Sequence, residues 1–352
     1  MRDWEKNVRK VVPYVPGEQP KRKDIIKLNT NENPYPPSPR VAEVLQKMTT
    51  DPMRRYPDPT CDCLVQAIAK EYKVKPEQVF VGVGSDDVLA MAFLTFFNSE
   101  KPILFPDITY SFYEVWADLF RIPYECQPLN EQFEIVKEDY YKENGGVIFP
   151  NPNAPTGALL SLDAVEAIIA HNQDVIVIVD EAYIDFGGRS ALELIEKYDN
   201  LLVVQTFSKS RSMAGMRIGY AFGDEKLIRY LNDAKYSFNS YTMNETALML
   251  GAAAVEDHDY FTETCQKIIA TREWTKKELS ALGFSFADSQ ANFVFAKHEY
   301  CKAEELFEAL KEAGIYVRYF RKPRIDQYLR ITIGTEEEMK QLVAFLKNYL
   351  TK

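Results

Sequence analysis

The sequence predicts an α/β fold built on a mostly parallel sheet, and three observations predict it. Short apolar runs alternate along the chain with segments of helical spacing. Four of those runs are continuous: Ile103-Leu104-Phe105, Val147-Ile148-Phe149, Val175-Ile176-Val177-Ile178-Val179 and Leu201-Leu202-Val203-Val204. Strands that do not alternate apolar with polar residues are covered on both faces. Finally, Ser85, Asn153, Asp180, Tyr183 and Lys209 all fall at or just past the carboxyl end of a predicted strand. That edge is where open α/β sheets bind ligands.

The size of the chain suits this fold. It has 352 residues, 46% of them hydrophobic, enough for one large domain and a smaller one. A formal charge of -10 argues against nucleic acid or an anionic membrane as the main partner. Basic side chains near a site are then local devices for anions. The start, Met1-Arg2-Asp3-Trp4-Glu5-Lys6, is charged and lacks the apolar core of a signal peptide. The longest apolar run, Val88 to Phe97, is too short to span a bilayer. Cys61, Cys63, Cys126, Cys265 and Cys301 form an odd, scattered set, which predicts reduced thiols in a cytoplasmic protein. His171, His258 and His298 have no metal-ligand spacing, so no metal is expected.

Residues 1–40 are rich in proline and charge and cannot form one regular helix. Tyr14 and Tyr35 are unusual in a solvated tail, so this arm is expected to pack across a partner or line a site. Val41 to Met48 and Cys63 to Tyr72 have helical spacing, and the loop Arg54-Arg55-Tyr56-Pro57-Asp58-Pro59 between them presents a tyrosine. Gln78 to Val83 reads as a strand that runs through Gly84-Ser85-Asp86 into the apolar helix Val88–Phe97. A glycine turn at a helix N-terminus lets backbone N–H groups approach a phosphate. Thr109-Tyr110-Ser111-Phe112-Tyr113 is expected to begin an amphipathic helix.

Residues Thr206 to Tyr220 carry the most chemistry. A Ser208-Lys209 pair follows a buried strand, and Arg217 comes eight residues later. Taken alone, Ser-Lys fits a solvated loop. At the end of a buried strand, however, the lysine can lose a proton and attack a carbonyl. Thr206, Ser208 and Arg217 offer hydroxyls and a guanidinium to a phosphate beside it.

After Tyr236 the texture changes. Thr242 to Val255 and Tyr260 to Leu282 read as helices. Phe284–Phe286, Asn292–Phe295, Ile315–Val317 and Leu329–Ile333 read as strands around the helix Lys302–Ala313. This predicts a small α+β domain carrying Arg318 and Arg330. The expected division is an arm at 1–40 packing with the small domain, a large domain at 41–240, and the small domain at 241–352.

Together these pieces resemble the histidinol-phosphate aminotransferase family, within the fold-type-I, class I/II aminotransferases that use pyridoxal phosphate. The matching stretches are Leu28-Asn29-Thr30-Asn31-Glu32-Asn33-Pro34, Arg55-Tyr56-Pro57, Gly84-Ser85-Asp86, Asp180-Glu181-Ala182-Tyr183, the Ser208-Lys209 segment and Leu329-Arg330-Ile331. The resemblance implies a seven-stranded, mostly parallel sheet in the large domain. It implies that Lys209 holds the cofactor and moves a proton, that Asp180 pairs with the ring nitrogen, and that Tyr183 bonds the ring 3′ oxygen. Tyr110 is expected to stack on the ring. Ser85, Asp86, Thr206, Ser208 and Arg217 are expected to hold its phosphate, with Tyr56 reaching across a homodimer to the neighbouring site. Tyr14, Asn33, Arg318 and Arg330 are the expected substrate ligands. The implied reaction is transamination of L-histidinol phosphate with 2-oxoglutarate in histidine biosynthesis. One position departs from the family pattern: Ala154 stands where an asparagine usually precedes Pro-Thr-Gly. Asn153 or Tyr183 alone is left to make that contact. An aromatic-amino-acid aminotransferase or a threonine-phosphate decarboxylase would share the cofactor residues. So would a transcription regulator's effector domain, but the acidic chain lacks a DNA-binding module before Leu28.

Overall fold

The computed structural model describes residues 2–22 and 24–351. Seven strands form one sheet in the order Val79–Gly82, Gly219–Gly223, Leu201–Thr206, Val177–Asp180, Gly146–Pro150, Ile103–Pro106, Tyr124–Gln127. Gly219–Gly223 runs antiparallel to both neighbours; the other pairings are parallel. The fold class is therefore the expected one. Alternate residues of the central strands enter two different cores. Val177, Val179, Leu201 and Val203 face one helical layer, while Ile178, Leu202 and Val204 face the other. Continuous β-branched runs follow directly from that double coverage.

The reversed strand has a consequence for the site. Its amino end lies at the carboxyl edge of the other six, because Thr206 and Gly82 both pair with Gly219. Arg217 is thereby delivered beside Gly84 and Ser208. A Cβ at Gly219 would sit 2.2 Å from the carbonyl carbon of Gly84 and the nitrogen of Ser85. Only glycine lets the strand pass this closely beneath the phosphate-type turn.

A separate core surrounds a four-stranded antiparallel sheet in the order Arg318–Tyr319, Leu329–Thr332, Phe293–His298, Phe284–Phe286. Helices His258–Ala281, Ala303–Glu312 and Glu336–Leu350 contribute Ile268, Leu306, Leu310, Leu342 and Leu346 to it. Ile315–Tyr316 does not join this sheet. It pairs in parallel with Ile26–Lys27 of the N-terminal arm. The arm also touches the helix Phe112–Phe120 on one face of the large sheet, where Tyr14 stacks on Phe112 with ring centroids 4.2 Å apart.

Two local expectations shift. Helix Glu245–Val255, expected beyond the boundary at residue 240, puts Ala247, Leu248, Leu250 and Ala254 against Val41, Leu64 and Ile68 in the core on the Val177 and Val203 face of the large sheet. Most of the core around the four-stranded sheet comes from residues after Val255, joined by Leu28, Ala154, Tyr183 and Phe186. The helix expected to start at Thr109 starts at Phe112, so Tyr110 stands in the loop before it. Among the described residues no helix is long and apolar enough to cross a membrane.

Candidate active site

A cavity of about 190 Å³ opens at the carboxyl edge of the large sheet. Ser85, Asp86, Tyr110, Ala154, Asp180, Tyr183, Thr206, Ser208, Lys209 and Arg217 line it, drawn from five strand ends and the loops beyond them. The residues singled out along that edge do converge, apart from Asn153.

Lys209 sits at the centre. Its Nζ donates to the carbonyl of Thr30 at 3.2 Å, and burial, aided by the charge of Arg330, holds its pKa down at about 8. A desolvated lysine with a lowered pKa is a competent nucleophile and base near neutrality. Asn33, expected as a substrate ligand, does something else. Its amide donates to the backbone carbonyls of Lys209 (2.9 Å) and Ser210 (3.2 Å), clamping the lysine loop, and it lies outside the cavity lining.

One end of the cavity is built for an anion. Helix Ser85–Phe96 begins there with no side-chain cap on its N-terminus. Gly84, at φ +85°, leaves room where a Cβ would lie 2.6 Å from the Arg217 guanidinium. Arg217 Nη1 donates to Ser208 Oγ at 3.4 Å and Nη2 pairs with Asp86 at 3.2 Å. Thr206 Oγ1 accepts from the Ser208 N–H at 3.1 Å. Free helix N–H groups, two hydroxyls and a guanidinium form a donor set suited to a phosphate.

The opposite wall holds Asp180, which is 4% exposed. Tyr113 donates to its Oδ2 at 2.8 Å and the Ala182 N–H to its Oδ1 at 3.2 Å. Burial pushes its pKa up to about 6. Asp180 has no cationic partner among the described residues, and a buried carboxylate of this kind calls for one from a ligand. Tyr110 lines the cavity, and its hydroxyl donates to Asp86 at 2.7 Å.

The asparagine at 153 does not compensate for Ala154. Both its amide hydrogens are taken, by the Ile108 carbonyl (2.9 Å) and Thr156 Oγ1 (3.0 Å), and it is absent from the cavity wall. Packing of the loop claims it. Tyr183 instead meets Asn31, whose Nδ2 donates to the phenol oxygen at 2.9 Å. Neither Asn31 nor Tyr113 was assigned a role from sequence. Asn31 belongs to the Leu28–Pro34 motif, whose sequence alone does not say which of its asparagines faces the site.

An outer vestibule of about 460 Å³ joins this cavity and is lined by Tyr14, Arg318 and Arg330, together with Tyr110, Tyr183 and Lys209. The arm, the small sheet and the large sheet meet there. Tyr56 lies elsewhere, 81% exposed and stacked on Tyr241 at 4.6 Å.

Residues 23–346 match the family model described as aminotransferase class I and II. A protein of Hydrogenovibrio crunogenus named histidinol-phosphate aminotransferase 1 is 55% identical over 347 residues, covering 99% of this chain and 98% of the relative. A histidinol-phosphate aminotransferase of Lactococcus lactis subsp. cremoris is 52% identical over 347 residues, with the same coverage. The crystal structure of histidinol-phosphate aminotransferase from Sinorhizobium meliloti, in complex with pyridoxal-5′-phosphate, superposes with a TM-score of 0.85 at 23% identity. It covers 97% of this chain and 95% of that one. With a family model matching residues 23–346 and relatives more than half identical over nearly the whole chain, the chain belongs to the class I and II aminotransferases.

Proposed function

We propose that this enzyme transfers the amino group of L-histidinol phosphate to 2-oxoglutarate, giving imidazole acetol phosphate and glutamate, as a step of histidine biosynthesis. The observation that carries the substrate choice is the vestibule, where Arg318 and Arg330 open onto Lys209 with Tyr14 beside them. Two guanidiniums and a phenol suit a phosphate-bearing donor, and the same forks accept the carboxylates of 2-oxoglutarate. The name shared by relatives at more than half identity over the whole chain supports the same reading.

Pyridoxal phosphate fits the inner cavity. The uncapped helix start at Ser85, the Gly84 cradle, Ser208, Thr206 and Arg217 match its phosphate, with Asp86 contributing its backbone because its carboxylate already pairs with Arg217. Asp180 matches the ring nitrogen, Tyr183 the 3′ oxygen and Tyr110 the ring face. When bound, the cofactor supplies an aldehyde for the amino group and a ring that accepts the electrons freed at the α-carbon. Lys209 would hold that aldehyde and, once displaced, carry the proton at its Nζ. Asp180 would keep the ring nitrogen protonated from a position too buried for water to screen it. Arg330 and Arg318 would orient either substrate by its anionic end, and the arm would exclude water.

The working unit is a homodimer in this reading, with Tyr56 completing the neighbour's phosphate site; its exposure and distance from its own cavity support that. A cytoplasmic location fits the five unpaired cysteines. The large domain runs to about Val255, followed by the small domain, and the arm bridges the two.

Borohydride reduction of the purified protein should fix the cofactor on Lys209, and Lys209→Ala should lose that label. Glutamate-coupled assays with histidinol phosphate, phenylalanine and threonine phosphate then test the substrate. A label on another lysine, or preference for phenylalanine, overturns the corresponding half of the proposal.

A further inference from the structure

We propose that Asn31 is a positioning residue that turns the Tyr183 hydroxyl proton into the cavity and strengthens that hydroxyl as a donor to the cofactor. The inference rests on the reading that pyridoxal phosphate occupies the site. Asn31 is 1% exposed and holds φ at 57°, a left-handed conformation that asparagine tolerates better than most residues. Its backbone is anchored on both sides. Its N–H donates to Thr332 Oγ1 at 3.0 Å, and its carbonyl accepts from Asn292 Nδ2 at 3.0 Å.

The sense of the side-chain amide follows from the same network. Thr332 Oγ1 donates its single proton to Asn31 Oδ1 at 3.0 Å. With the amide reversed, that buried hydroxyl proton would lose its acceptor. The NH2 end therefore faces Tyr183, donating to the phenol oxygen at 2.9 Å. A phenol has one proton. With a donor already on its oxygen, that proton must point away from Asn31, and among the described residues no protein acceptor takes it. The open direction is the cavity.

The charged and titratable groups around Tyr183 are Lys209, whose Nζ lies 5.9 Å from the ring centroid, Arg330, Asp180, Asp86 and Tyr113. Burial raises the Tyr183 pKa; Arg330 and the Asn31 N–H oppose it. A donor on the phenol oxygen makes its O–H more acidic and a better donor in turn. Asn31 thus acts through Tyr183, at a site where Ala154 offers no side-chain donor and the Asn153 amide is turned elsewhere.

The test is a pH titration of the bound cofactor's visible absorption in the holoprotein. A hydrogen bond to the deprotonated chromophore lowers its midpoint, so weakening the donor raises it. Asn31→Ala should raise the midpoint by roughly half to one pH unit, the worth of one hydrogen bond. Asn31→Asp should raise it further, because its carboxylate takes the Tyr183 proton. Thr332→Val, which frees the amide to turn, should shift it in the same direction and serves if Asn31 variants fold poorly. Tyr183→Phe should raise the midpoint alone and make Asn31→Ala silent when combined. Unchanged midpoints in the Asn31 and Thr332 variants would overturn the proposal, as would a full Asn31→Ala shift persisting in Tyr183→Phe. A wild-type protein without a visible band would instead remove the cofactor reading on which the inference rests.

Discussion

Arg318 and Arg330 stand directly opposite one another on adjacent antiparallel strands. Like charges in that register destabilise a sheet. Neither is in a salt bridge among the described residues. Arg330 Nη2 donates to the Asn29 carbonyl at 3.1 Å, Arg318 Nη2 to the Val15 carbonyl at 3.4 Å, and Arg330 Nε is buried with no partner. Burial favours loss of the Arg330 proton, yet guanidinium stays charged. An anion shared by the two, as the proposed substrate reading has it, would offset this cost. Losing one charge-assisted hydrogen bond costs on the order of 1.5–3 kcal/mol, or roughly one to two decades in kcat/KM. Arg330→Ala should exceed that with both histidinol phosphate and 2-oxoglutarate, while the unliganded protein becomes no less stable. Normal kinetics with a lowered Tm would mark the pair as structural.

Asp180→Asn separates charge from shape. The Tyr113 hydroxyl and the Ala182 N–H both donate to the carboxylate, and asparagine keeps one of the two acceptor oxygens. Stability should change little, because a neutral amide avoids the burial penalty of a lone charge. Single-turnover conversion of histidinol phosphate should slow by roughly two to three decades, the scale on which a preorganised charge acts. Turnover within a few-fold of wild type would leave Asp180 with a packing role only.

Tyr14→Phe isolates a hydroxyl. The ring stacks on Phe112 with planes 19° apart, and phenylalanine retains that stack. The arm should therefore stay in place. We expect kcat/KM for histidinol phosphate to fall by roughly tenfold, one hydrogen bond to a charged group, with 2-oxoglutarate nearly untouched. Equal losses for the two substrates would show that Tyr14 only holds the arm.

The central strands were legible because both faces are buried, which leaves a continuous apolar run in the sequence. Their carboxyl ends were legible for the same reason, and with them Asp180 and Lys209; Arg217 stood out by its spacing from Lys209, just ahead of the next apolar run. What escaped depends on contacts far along the chain. Asn33 reaches the Lys209 carbonyl across 176 residues, and Asn31 reaches Tyr183 across 152. No local pattern distinguishes a clamp or a positioning amide from a substrate ligand. Helix Glu245–Val255 is rich in alanine and leucine, and most of it is buried. Such a helix carries no polar face to say which sheet it covers. Its place follows from Gly251, where a Cβ would lie 2.9 Å from Ile218 and 3.2 Å from Leu64 of the large core.

Glu181, next to Asp180, gives stability a pH dependence of definite sign. It is 1% exposed and accepts from Ser190 Oγ (2.5 Å), the Ala191 N–H (2.6 Å) and Gln205 Nε2 (2.9 Å). These donors favour the carboxylate, but burial prevails and pushes its pKa from 4.5 up to about 7. Between those values the folded protein binds a proton that the unfolded chain has released. Stability from this group is therefore fully present below about pH 4.5 and is lost as pH rises through 7. Glutamine keeps the side chain's shape and does not titrate. Urea unfolding of the holoprotein, followed from pH 4.5 to 7.5, should show wild type losing stability relative to Glu181→Gln, by up to on the order of 3 kcal/mol. Groups remote from Glu181 titrate alike in both proteins and cancel in the difference; Asp185, whose charge adds to the rise at Glu181, acts in the same sense. Any constant offset reflects the donor that glutamine cannot accept; the slope alone reports the proton. A difference that stays flat across the range would mean that Glu181 is ionised throughout, held by its three donors against the cost of burial.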